Sequence, residues 1–144
     1  MVPVKKLASI ITLTAALVGT VMAGTANAMV VPTSTWHCGS WVQTGIKGIN
    51  AQACYQKQFV SKTMHAYVNV KNETGKSRTI PSITAALIDS GGHALGQTVC
   101  SPGAVPNNFT VTCSSMIQPL NSQNYSAGSV EWATGSFTQV DSRM

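Results

Sequence analysis

Acidic residues are nearly missing from this chain: four Asp and Glu in 144 residues, against nine Lys and Arg. Charged side chains together make up only 9% of it. Beyond residue 28 the balance is seven cations against four carboxylates, a net charge of +3. So small an excess favours solubility and creates little field for drawing in a polyanion. With no Arg-rich run and no aromatic RNA-reading motif, it argues against nucleic acid as a partner. Four carboxylates and three histidines, His37, His65 and His93, also leave little material for catalysis. There is no G-x-S-x-G elbow, no H-E-x-x-H helix and no phosphate-cradling glycine loop. Asp89 and Glu131 could act as a general acid/base pair only if folding brought them together. The cysteines lack C-x-x-C spacing and no histidine cluster accompanies them, which argues against zinc. No metal or other cofactor is expected. Repeats, low-complexity linkers and long amphipathic helical patterns are missing too.

What is present starts at the N-terminus. Lys5 and Lys6 precede an apolar run from Leu7 to Ala23, which ends in Ala26-Asn27-Ala28, an A-x-A cleavage signature. A stretch of about 17–25 apolar residues can span a bilayer, so an anchor is the rival reading. The run is rich in Ala, Thr and Gly, and small residues flank the Ala28–Met29 bond, which favours a cleaved signal peptide over residues 1–28. No cysteine follows the leader, so lipid attachment is not expected. The mature chain, 29–144, has no second apolar run long enough to span a membrane. At this length it is one domain, expected to bury roughly 65% of its unfolded surface.

All four cysteines, Cys38, Cys54, Cys100 and Cys113, fall in the mature part. An even count in an exported chain reads as two disulfides, and three pairings are possible. Cys38–Cys54 and Cys100–Cys113 are favoured because each staples neighbouring segments, worth roughly 3 kcal/mol per bridge in the chain-entropy model.

Turn residues cut the mature chain into short strands. Thr63–Lys71 alternates, with Met64, Ala66, Val68 and Val70 on one face and His65, Tyr67, Asn69 and Lys71 on the other, the period of a half-buried strand. After the Asn72–Gly75 turn, Ser77–Asp89 places Ile83, Ala85 and Leu87 on one face, with Pro81 marking an edge or bulge. Ser90-Gly91-Gly92 turns again. His93–Cys100 is expected to point Leu95 and Val99 inward. Phe109, Val111 and Cys113 alternate with Thr110 and Thr112. A last strand near Tyr125–Thr134 carries Val130 and Trp132 on its buried face. Gly48–Ser61 mixes helical and strand spacing and is read as a strand. The sum is an all-β, antiparallel sandwich.

Two of these segments resemble the core of FxLYD-type domains of exported bacterial proteins. They are Ala66-Tyr67-Val68-Asn69-Val70-Lys71-Asn72 and Ile83-Thr84-Ala85-Ala86-Leu87-Ile88-Asp89-Ser90-Gly91-Gly92. This chain has Leu87-Ile88-Asp89 where the family has L-Y-D, and the resemblance covers about 30 residues. It implies an immunoglobulin-like hairpin and no activity. The format of leader plus small two-disulfide domain is also similar to secreted actinobacterial proteins, including the subtilisin-inhibitor family. That family's Cys-Pro reactive-loop signature is missing, so its activity is not transferred.

Three groups stand out as candidate sites. Trp36-His37-Cys38-Gly39-Ser40-Trp41 sets two tryptophans beside a cysteine. They either form a platform for sugar rings or a partner, or pack beside the disulfide, the commoner arrangement in small sandwiches. Tyr67 stands on the polar face of its strand. Lys71, Lys76 and Arg78 surround the Asn72–Gly75 turn and suit either an acidic wall polymer or plain solvation. Asn72, Asn108 and Asn124 begin N-x-[ST] triplets and are read as turn residues. The expected function is a secreted, non-enzymatic binding module for an extracellular glycan or protein. A secreted hydrolase or its accessory domain, and a structural envelope or spore-surface protein, are the alternatives.

Overall fold

The computed structural model describes residues 33–143, so the expected leader lies outside the described residues. Twelve strands are found there: β1 (Ser34–Cys38), β2 (Val42–Gln43), β3 (Ile49–Gln58), β4 (Thr63–Asn72), β5 (Arg78–Ile80), β6 (Ser82–Ile88), β7 (Ala94–Cys100), β8 (Gly103–Val105), β9 (Thr110–Ser114), β10 (Gln118–Pro119), β11 (Tyr125–Glu131) and β12 (Phe137–Asp141). The fold is all-β and every pairing is antiparallel. Sheet A runs β1-β3-β4 and continues to β9 and β10, with β2 beside β1 on the free side of β3. Sheet C runs β12-β11-β6-β7, and β5 pairs with β8 in a small ribbon. No helix among the described residues is long and apolar enough to cross a membrane.

The inner faces are set by strand periodicity. On β4, Met64, Ala66, Val68 and Val70 are fully buried while the intervening residues are half-exposed. Ile49, Ala51 and Ala53 of β3 join them, and sheet C contributes Ile83, Ala85, Val130, Trp132 and Val140 to the same core. A satellite cluster of Met64, Ala66 and Leu87 carries Tyr55, Leu95 and Leu120 at its margin. So many alanines bring the sheets close. A Cβ on Gly128 of β11 would run into the Thr84 carbonyl oxygen and a Val68 methyl, which leaves only glycine room there. Gly39 is crowded in the same way by the backbone at Asp141, where the edge of sheet A meets the end of β12.

Both disulfides are formed. Cys38–Cys54 joins directly opposed residues of β1 and β3 within sheet A. Cys100–Cys113 joins β7 to β9 and therefore ties the two sheets together.

The expected strands recur with informative differences. Gly48–Ser61 is strand β3, and Ser77–Asp89 breaks at Pro81 into β5 and β6. Val99 does not point inward as expected; it is 58% exposed. Between Ala85↔Thr98 and Leu87↔Leu95, one residue of β6 faces two of β7, with Gly96 at φ 61°. This extra residue flips the faces beyond it, so Leu95 keeps its expected inward place while Thr98 and Cys100 turn inward instead of Val99. Phe109 is also exposed, because the left-handed turn at Asn108 (φ 64°) precedes a strand that begins only at Thr110. The last expected strand stops at Glu131. A turn closed by Gly135 N–H donating to the Trp132 carbonyl then sends β12 back.

Candidate functional site

The outer face of sheet A gathers the aromatic side chains. β1 lies against β3 with Trp36 opposite Gln56 and Cys38 opposite Cys54. β3 lies against β4 with Gln56 opposite His65 and Cys54 opposite Tyr67. Because alternate residues share a face, Trp36, Gln56, His65, Tyr67 and the Cys38–Cys54 bridge all stand on one surface. Trp36 and Tyr67 reach across β3 to meet at 4.9 Å between ring centroids, tilted by 34°. His65 meets Tyr67 on the other side at 5.4 Å, tilted by 31°. Such pairs contribute about 0.5–1.5 kcal/mol beyond area burial. They hold the rings in place while Trp36 stays 57% exposed.

Amides surround the rings. The Tyr67 hydroxyl donates to Gln56 Oε1 at 3.2 Å, and burial pushes its pKa up, so it remains a donor. Gln58 Nε2 donates to Gln56 Oε1 at 3.4 Å and lies 3.5 Å from His65 Nε2. Further along the face, Asn69 accepts from Thr112 at 2.8 Å, and Asn50 donates to Glu73 at 3.0 Å. Flat rings fringed by neutral hydrogen-bonding groups match the two surfaces of a sugar, its apolar C–H face and its hydroxyl rim.

The packing reading of Trp36 and Trp41 is overturned: Trp41 is 46% exposed and Trp36 more so. The physical reason is that β1 is an edge strand whose outer face has no layer above it. Trp41 lies at the same edge, just before β2, but joins none of the ring pairs among the described residues. Trp132 is core, 6% exposed.

The three cations do not act as one patch. Lys71 is paired with Glu73 at 2.7 Å, and that Lys71 hydrogen bond holds the Glu73 carboxyl below its usual pKa. Lys76 is exposed, and its carbonyl accepts from Asn72. Arg78 is half-buried in β5, with its Nε lacking a partner. Asp89 and Glu131 lie at opposite ends of the β6–β11 pairing, Asp89 just past Ile88↔Tyr125 and Glu131 opposite Ser82. Six residues of strand separate these ends, roughly 20 Å. Asp89 instead caps its own turn, accepting from Gly91 and His93 N–H at 2.8 and 2.9 Å. No group of three or more potential metal-ligating side chains is found among the described residues.

His65, Gln56 and Gln58 were not singled out from the sequence. The signal was available in the cysteines. Once Cys38 and Cys54 are taken as directly opposed, counting two residues outward puts Trp36 against Gln56, and the β3–β4 hairpin brings His65 alongside.

No family model and no curated protein matches the chain. An X-ray structure of Northeast Structural Genomics Consortium target SoR45 overlaps 77% of this chain and 83% of its own, at 7% identity and a TM-score of 0.36.

Proposed function

We propose that this chain is a secreted, non-enzymatic module that binds an extracellular or cell-wall glycan through the outer face of sheet A. The observation that carries the reading is the Trp36–Tyr67–His65 group, its rings already in contact, with Trp36 exposed, Tyr67 and His65 half-exposed, and a fringe of Gln and Asn side chains. Ring pairs locked before binding lose little side-chain entropy when a sugar settles on them, which favours affinity. The two disulfides are consistent with an extracellular chain, and a cleaved leader over residues 1–28 accounts for its export.

The reading includes an immunoglobulin-like topology. The order β3-β4-β9 in one sheet and β12-β11-β6-β7 in the other follows A-B-E and G-F-C-C′ of such sandwiches. On that assignment the FxLYD-like segments are β4 and β6, strands B and C.

Retention on insoluble polysaccharides tests the binding role, using protein produced from the full chain and panels of peptidoglycan, cellulose and chitin. Trp36→Ala should weaken retention by about 2 kcal/mol, roughly 30-fold, as expected for an aromatic anchor. Its melting temperature should move little, since the ring is mostly exposed. Trp41→Ala should weaken retention less. Equal retention of wild type and Trp36→Ala on every polymer would sink the proposal.

A further inference from the structure

We propose that the outer face of sheet A selects an N-acetylated sugar over a plain hexose, its exposed N–H groups meeting the acetamido carbonyl. The inference rests on the glycan reading above and follows from which polar atoms of that face are already used. Trp36 stands directly opposite Gln56, and Gln56 directly opposite His65. The three form one row across β1, β3 and β4, with neighbouring Cβ atoms about 4.5–5.5 Å apart.

The acceptors in and around this row are spent within the protein. Gln56 Oε1 takes the Tyr67 hydroxyl at 3.2 Å and Gln58 Nε2 at 3.4 Å. Gln58 Oε1 takes the Ser61 hydroxyl at 3.1 Å, and Asn69 Oδ1 takes the Thr112 hydroxyl at 2.8 Å. Gln58 Nε2 also faces His65 Nε2 at 3.5 Å. An amide nitrogen only donates, so that ring nitrogen accepts and the proton of the neutral imidazole sits on Nδ1. The donors stand the other way. Gln56 Nε2, the Trp36 indole N–H and His65 Nδ1 have no hydrogen-bond partner among the described residues. All three are within reach of a ligand: Trp36 is 57% exposed, and neither of the other two nitrogens is a buried atom.

A surface with donors to spare and few free acceptors favours a ligand group that only accepts. Each hydroxyl of a plain hexose brings a hydrogen that needs an acceptor of its own. An acetamido group brings a carbonyl oxygen instead, beside a methyl that can lie on the Trp36 ring, while its N–H stays in water. No side chain of the row carries a fixed charge, and Lys71 further along β4 is held by Glu73 at 2.7 Å. Nothing there offsets the desolvation of a uronate carboxylate. The favoured sugar is neutral and N-acetylated.

Titration calorimetry of protein produced from the full chain tests this with tri-N-acetylchitotriose, cellotriose and deacetylated chitotriose. The three share one backbone and differ in carrying acetamido, hydroxyl or ammonium groups. Tri-N-acetylchitotriose should bind about 3- to 10-fold tighter than cellotriose, the worth of one neutral hydrogen bond. The deacetylated trimer should bind weakest, since it brings donors to donors. Gln56→Glu keeps an oxygen for Tyr67 and Gln58 but removes both free N–H groups. It should bring tri-N-acetylchitotriose down to the affinity that the wild type shows for cellotriose. Should that variant fail to fold, NMR of the wild type decides: the Trp36 indole and Gln56 side-chain N–H signals should shift more with tri-N-acetylchitotriose than with cellotriose. Equal affinities, or tighter binding of cellotriose, with Trp36→Ala still weakening both, would overturn the selectivity and leave the platform standing. Binding that ignores Trp36→Ala, or no binding of any trimer, would overturn the platform and this inference together.

Discussion

Two polar side chains do more for the fold than their number suggests. Asn72, fully buried at the end of β4, donates to the carbonyls of Lys76 and Val105 at 2.8 Å and accepts from Thr74 N–H and hydroxyl at 3.0 and 2.8 Å. Asn72→Ala would strand those buried partners, and urea denaturation should register a loss of about 3 kcal/mol. Asp89 acts through charge. The His93 backbone N–H, with its ring and the Gly91 N–H, holds the Asp89 carboxyl below its ordinary pKa. Folding thus favours its ionised form. The resulting stability is complete above the ordinary aspartate value of about 3.9 and is lost as pH falls through the lowered folded value. Melting curves taken in acid should show that loss, and Asp89→Asn should flatten part of it. That Asn72 and Asp89 sit in turns is legible from the residues after them. That one is buried and the other half-exposed is not, because burial is decided by what folds over the turn: β8 covers Asn72, whereas Asp89 is bonded only by its own turn.

Strand periodicity explains which elements could be read in advance. β4 alternates without interruption and has a sheet on one side only, so its four inward residues are visible as a pattern. In β7 the same reasoning holds for Leu95 and fails for Val99, since a bulge depends on the partner strand and leaves only a glycine as its trace. The platform was half legible: its aromatic residues stand out, but their exposure depends on β1 lying at an edge. β11 offers the sharpest packing test. Gly128→Ala would force a methyl against Thr84 and Val68, and should cost about 1–3 kcal/mol in equilibrium unfolding with the fold retained.

Across the whole molecule the bridges have unequal roles despite similar spans, 16 residues for Cys38–Cys54 and 13 for Cys100–Cys113. Loop entropy alone assigns about 3 kcal/mol to each, a large share of a typical total of about 5–15 kcal/mol. Cys38–Cys54 locks strands already paired by a hydrogen-bond ladder, whereas Cys100–Cys113 joins layers held otherwise by side-chain packing. Replacing Cys100 and Cys113 together by Ala should therefore lower the melting temperature more than replacing Cys38 and Cys54. The second pair of changes should loosen Trp36 instead, visible as easier iodide quenching on a Trp132→Phe background. The bulge in β7 also bears on how copies of the chain meet. β7 is the terminal strand of sheet C, and a straight terminal strand offers its free backbone groups to any neighbouring copy. The kink at Gly96 spoils that template, and the Met116 N–H occupies the Gly96 carbonyl at 2.9 Å. The strand edge is thereby kept from pairing with that of a second copy and stacking into fibres.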